Sequence, residues 1–279
     1  MTKTAKSPPM TASLEKWLAE PFDPKRLLPW EKQVKAGALE GRAIGLRPKA
    51  LTFEAETDGP TIRARFLEAL LLGELGDVHH RGVQFWNQLP KVKPARVIGE
   101  LNLRGAGAAG KPLPILQINQ FVFDQRPNFD LAHLTFLSLS DCKFRNGVDL
   151  QRAHIRGGLF LRSIESRGEI NLKAATIGGG LSLTGAKLMH KDAMALLADG
   201  ATIGGGVFAK ASGGARGLVA WGQVSFHSAT VQGSFEWNGA VLLARTRGGR
   251  RSWRSISTCG DKLFSCVMVK TGRLLLWAA

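Results

Sequence analysis

A short pattern returns through the middle of this chain: an aliphatic residue, any residue, glycine, any residue, then two apolar residues separated by one more. It runs Val97, Gly99, Leu101, Leu103, then Ile155, Gly157, Leu159, Leu161, then Ile177, Gly179, Leu181, Leu183. Ile203, Gly205, Val207 and Val231, Gly233, Phe235, Trp237 are further copies. A weaker half-repeat lies between them, as Gly147, Val148, Leu150, Ala153, as Gly168, Ile170, Leu172, Ala175, and as Gly222, Val224, Phe226, Ala229. Leu137, Val148, Leu159, Ile170 and Leu181 follow one another at a constant interval of 11 residues. Self-similarity at a fixed period marks a repeat architecture.

The two apolar positions of each half lie two residues apart, so both point to one face of a short strand. No single unit buries such a face alone. Stacking successive units in parallel lines the aliphatic side chains into an interior column, which is how solenoids gain stability from nearest neighbours. Glycines then belong at the corners, where the missing Cβ permits positive φ and close approach to the next coil. A β-sandwich also places glycine turns between alternating strands, but a constant interval argues for the solenoid. The interval loosens after Leu181, and the stretch from Met189 to Asp199 reads as a loop bulging from one corner.

The runs Ala175-Thr-Ile177-Gly-Gly-Gly-Leu181-Ser-Leu183-Thr-Gly-Ala186 and Gly168-Glu-Ile170-Asn-Leu172 resemble the repeats of bacterial pentapeptide-repeat-like β-helix proteins. The resemblance extends over residues 60–240. Some of those proteins carry the label of membrane-associated oxidoreductase, an activity that only the resemblance implies. Pentapeptide proteins proper place leucine or phenylalanine at every fifth residue, whereas this chain runs on elevens with more glycine. The expected fold is mainly β: a right-handed parallel β-solenoid, its coils made of two 11-residue halves, with an N-terminal α-helical cap.

Four segments are expected. Residues 1–57 form an N-terminal arm with a short helix, suggested by Leu14, Trp17, Leu18 and Trp30 among several prolines. Residues 58–78 form a capping helix, with Pro60 near its start, an apolar stripe of Ile62, Phe66, Leu67, Leu70 and Leu71, and Gly73 at its end. Residues 79–240 are the repeats. Residues 241–279 hold eight Lys or Arg against the single acid Asp261, a basic non-repeat tail whose composition fits a shifted reading frame. The first thirty residues do not read as a signal peptide and no stretch is apolar enough to span a bilayer, so a cytoplasmic protein, peripheral to a membrane at most, is expected. Cys142, Cys259 and Cys266 lack metal-site spacing.

Two groups of residues are candidates for a site. Gly105, Gly107, Gly110 and Lys111 match a glycine-rich phosphate loop. Pro112 and Pro114 follow at once, so the helix that such a loop needs is not expected, and a corner loop is the alternative. Arg152, Arg156, Arg162, Arg167 and Lys173 occupy outward positions of the repeats and would form an anion-binding face, with Asp149, Glu165 and Glu169 among them. A formal charge of +16 favours anionic partners such as phospholipid or nucleic acid. The six histidines are scattered, and no nucleophile stands beside a base. These features point to a non-catalytic interaction or scaffold protein, without cofactor or metal, that meets a protein or an anionic surface. The alternatives are the oxidoreductase implied by the resemblance and a nucleic-acid-binding solenoid.

Overall fold

Strands of mostly two residues, one facing in and one facing out, build the molecule. The computed structural model describes residues 22–44, 61–85 and 94–245, apart from 109, 192 and 212–216. It also describes the strands Arg251–Ile256, Phe264–Cys266 and Leu276–Ala278. Four sheets run the length of the repeats, with nine, four, five and seven strands; we number them I to IV in the order the chain visits them. Lys143–Phe144, Val148–Asp149, His154–Ile155 and Leu159–Phe160 lie on sheets I, II, III and IV, and the chain returns to sheet I at Glu165–Ser166. Up to Arg245, neighbouring strands of the four sheets pair in parallel, an arrangement consistent with a parallel β-solenoid.

Register explains the sequence period. Leu137, Leu159, Leu181 and Val207 stand opposite one another on sheet IV, and Val148, Ile170, Leu196 and Val224 on sheet II. Leu134, Ile155, Ile177 and Ile203 form the inward column of sheet III. On sheet I the corresponding residues are Phe123, Phe144, Ser166, Leu188 and Ala220. Ser166 is the polar exception, fully buried, and its hydroxyl donates to the Gly168 carbonyl at 2.8 Å. The 11-residue spacing therefore joins sheet II to sheet IV, and two further strands per coil lie between.

The corners match the sequence expectation at Gly147, Gly185 and Gly200, which are left-handed, and depart from it elsewhere. Left-handed backbone occurs there in residues other than glycine: Leu131, Arg152, Ala174 and Ser228 between sheets II and III, and Gln120, Asp141 and Ser163 between sheets IV and I. Side chains three residues before the left-handed residue hold the first of these corners. Asn128, Asp149 and Asn171 accept the amides of Asp130, Gln151 and Lys173 at 3.0, 3.1 and 3.1 Å, and Asn102 accepts that of Arg104 at 3.2 Å. Other glycines serve the expected close approach, standing where coils touch. A Cβ on Gly178 would lie 2.3 Å from the Arg156 carbonyl oxygen, and Gly178 has no positive φ to explain it.

The insertion after Leu188 is absorbed with little disturbance. Met194–Leu197, expected within a bulging loop, is a strand of sheet II with a register shift between Met194 and Leu196, so the loop narrows to the residues before it. The run Ile115–Phe123 divides at Gln120 into Leu116–Asn119 on sheet IV and Phe121–Phe123 on sheet I.

Helix α1 spans Pro29–Glu40, with proline in its first turn and Gly41 in left-handed conformation at its end. The expected helix of residues 58–78 covers only Ala64–Leu71, here α2; Thr61–Arg63 is extended and pairs with Arg96–Ile98. Pairing won because Ile62, placed beside Val97, is fully buried there. Trp30, Val34, Phe66, Leu67 and Leu70 join the same apolar core as the coils. Two polar links fasten the helices: Glu31 with Arg63, and Glu68, whose carboxylate accepts the Asn102 amide at 2.6 Å. The proposed arm helix near Leu14, residues 58–60, and most of the tail lie outside the described residues. Within the tail, Ala240–Arg245 still pairs in parallel with Val219–Trp221, and Arg251–Ile256 folds back antiparallel against it.

Candidate functional site

Sheet IV carries the outward side chains that least resemble a solvated β-face. Its outward column reads Gln117, Ser138, Phe160, Ser182, Phe208 and Glu236. The local sequences Gly157-Gly-Leu-Phe160 and Gly204-Gly-Gly-Val-Phe208 explain the geometry: the aliphatic residue turns inward and the phenylalanine outward, over glycine. A Cβ on Gly158 would approach Phe160 Cζ to 3.3 Å, and one on Gly206 would approach Phe208 Cζ to 2.8 Å. The rings lie against bare backbone and remain half-buried. Ser182, between them in register, is only 2% exposed. Phe136 extends the strip, its ring 5.2 Å from that of Phe160 and steeply inclined at 62°.

Cations border these rings. The Arg162 guanidinium stands 4.5 Å above the centre of Phe160, and its Nε donates to Ser182 Oγ at 3.2 Å. Lys210 Nζ lies 6.0 Å from the centre of Phe208 and pairs with Glu236. The hydrogen bond from Lys210 holds the Glu236 carboxyl below its usual range, against the opposing effect of burial.

The five basic residues nominated from sequence do not share one face. Arg156 follows His154–Ile155 at the turn from sheet III to sheet IV, so Arg156 and Arg162 bracket Phe160 within one coil. Arg152 and Lys173 lie at the corner of sheets II and III, where Arg152 donates to Asp130 from Nε at 3.2 Å and from Nη2 at 2.9 Å, and Arg104 reaches the same carboxylate at 3.2 Å. Arg167 sits beyond Glu165–Ser166, at the corner of sheets I and II. A coil with four sides distributes charges that look adjacent in sequence around its circumference.

The glycine-rich segment is tied into the coil. Gly105 donates its amide to the Asp130 carbonyl at 2.8 Å, and Ala106 donates to Leu103 at 3.0 Å. After Lys111, which is exposed, the chain bridges through Leu113 to Leu134 and enters the strand Leu116–Asn119, with no helix at that point. His133 and His154 stand together on sheet III, ring centres 5.4 Å apart. Cys142 is fully buried, and loss of hydration pushes its thiol up to about 12. Among the described residues, no group of three or more His, Cys, Asp or Glu is placed to hold a metal ion, and no helix is long and apolar enough to cross a membrane.

Sequence reading missed the phenylalanine strip. Its signal was a phenylalanine two residues after paired or triple glycine, at the outward position of a repeat. No family model matches the chain, and neither a curated protein nor a solved structure matches it.

Proposed function

We propose that this protein is a non-catalytic interaction scaffold that presents sheet IV to an anionic partner. In this reading the fold is a right-handed solenoid of the pentapeptide-repeat-like kind, its regular coil 22 residues long, as from Leu137 to Leu159 and on to Leu181. The right hand follows from the general handedness of parallel crossovers. Helices α1 and α2 act as the cap, covering the first rungs of a stack whose edges would otherwise recruit other strands.

The observation that carries the proposal is the placement of Phe160 and Phe208 outside the core, each beside a cation on a rigid glycine-backed face. Large apolar side chains at outward strand positions cost solubility unless something covers them, and aromatic residues with arginine are the usual anchors of recognition. Retention on a heparin column tests the reading. Arg162→Ala with Lys210→Ala should elute at distinctly lower salt than the unaltered chain, while Lys143→Ala with Lys187→Ala on sheet I should shift elution less. Equal shifts from both pairs would mean that net charge alone governs binding and would remove sheet IV from the proposal.

A further inference from the structure

We infer that the partner of sheet IV is single-stranded nucleic acid, its bases stacking on Phe160 and Phe208 and its phosphates meeting Arg156, Arg162 and Lys210. The inference rests on the preceding assignment of sheet IV as the binding face and gives its ligand a chemical class. Proteins that hold single strands without reading sequence combine aromatic platforms with a cationic track, because every base offers a π-face and every nucleotide a charge. Sheet IV supplies both on one rigid surface.

The geometry separates this ligand from other polyanions. Both rings lie close against glycine backbone, as the short approaches at Gly158, Gly180 and Gly206 show, so they are flush with the sheet. A flush ring suits a flat base and suits membrane insertion poorly, since insertion needs apolar groups that project. Duplex nucleic acid presents phosphates outward and keeps its base faces stacked inside, where these rings do not reach. Phe160, Ser182 and Phe208 occupy successive rungs. Rungs about 4.8 Å apart place the two rings roughly 10 Å apart along the stack, enough for them to engage different nucleotides of one strand.

Arg162 already occupies the space above Phe160, where a base would stack. Its guanidinium is flat and is held there by the ring and by Ser182 Oγ. An incoming base takes over the ring, and the arginine swings to the adjacent phosphate or stacks on the base's far side. Lys210 meets the strand beside Phe208, where the competing carboxylate is Glu236. Arg156, exposed at the turn just before Leu159–Phe160, adds a further charge within the same coil.

Fluorescence anisotropy of a short labelled oligothymidylate with the full chain, at low and at moderate salt, tests the inference. The unaltered protein should bind, with affinity that falls as salt rises. Phe160→Leu and Phe208→Leu keep apolar bulk but lose the platform, and each should weaken binding roughly fivefold to a hundredfold, the range found on removing one stacking aromatic. Phe160→Trp should retain or improve it, and thermal unfolding of all three variants should match that of the parent. Leucine variants that bind like the parent would overturn the inference, as would equal affinity for a duplex of the same length, or binding to phosphatidylserine vesicles without binding to the oligonucleotide. If heparin retention still depends on Arg162 and Lys210 while the leucine variants bind the oligonucleotide normally, the ligand class falls and the binding face stands. If neither dependence appears, both fall.

Discussion

Replacing Glu31 with glutamine should release helix α1 from the coil without unfolding the coil. Glu31 is fully buried, and the Arg63 side chain is 9% exposed. One carboxylate oxygen accepts Arg63 Nε at 2.9 Å and the Arg63 amide at 3.2 Å; the other accepts Arg63 Nη2 at 2.6 Å and the Leu28 amide at 2.9 Å. Three of these bonds join the start of α1 to the strand Thr61–Arg63, and the fourth, from Leu28, closes the first turn of α1. Glutamine offers one acceptor, turns a donor toward the guanidinium and removes the negative charge that Arg63 faces. Breaking one side of such a pair costs about 3–5 kcal/mol. Every 1.4 kcal/mol is a factor of ten, so amides of α1 that exchange by local opening should exchange about two to three and a half orders of magnitude faster. Hydrogen exchange read by mass spectrometry is the assay. Peptides around Leu159 should keep their protection, because stability in a stacked array passes mainly between neighbours. The double variant Glu31→Leu with Arg63→Met should recover most of the protection, since an apolar pair of similar volume carries no buried charge. Unchanged exchange in the single variant, or a double variant that opens faster than either single one, would refute the reasoning.

Two further outcomes follow from packing. Gly147→Ala should destabilise the protein well beyond Gly200→Ala, as measured by urea unfolding. Both glycines are left-handed, at φ 80° and 66°, but a Cβ at Gly147 would lie 2.0 Å from the Glu169 carbonyl oxygen, whereas nothing lies within 4 Å at Gly200. Gly200→Ala should therefore cost only the conformational penalty of about 1–2 kcal/mol, and equal costs would contradict the close approach. Cys142 should resist thiol reagents in the native protein at mildly alkaline pH, because the thiolate is the reactive form and burial keeps the thiol protonated to about pH 12. Peptide mapping after alkylation, with and without denaturant, checks this; rapid native labelling of Cys142 would show that its coil opens readily.

Much of the fold was legible because the apolar period is strict. Leu137, Leu159 and Leu181 could be aligned by counting, and the structure pairs them. The strands of sheets I and III were harder to see. His154–Ile155 and Glu165–Ser166 each offer one inward residue, and on sheet I that residue ranges from Phe144 to Ser166 to Ala220, too varied to announce a column. Glycine was read at the corners for positive φ and for close approach to the next coil, and Gly147 and Gly178 meet one or both of these. Asn128, Asp149 and Asn171 instead hold left-handed turns by bonding the backbone two residues ahead, which frees those corners from needing glycine. The candidate site was less legible still. Arg156 and Arg162 were nominated, but so were Arg152, Arg167 and Lys173, which face elsewhere.

By itself the sequence determined that this chain stacks: a two-residue alternation repeated at a constant interval leaves each unit with an apolar side that only its neighbours can bury. Tertiary structure decided how many sides each coil has, which corners bend without glycine, and which side chains meet across rungs. Those contacts join residues one or more coils apart, such as Phe160, Ser182 and Phe208, and depend on the register and on the turn taken at every corner between them. Local pattern records neither, because a shift of one residue at a single corner sends an outward phenylalanine into the core.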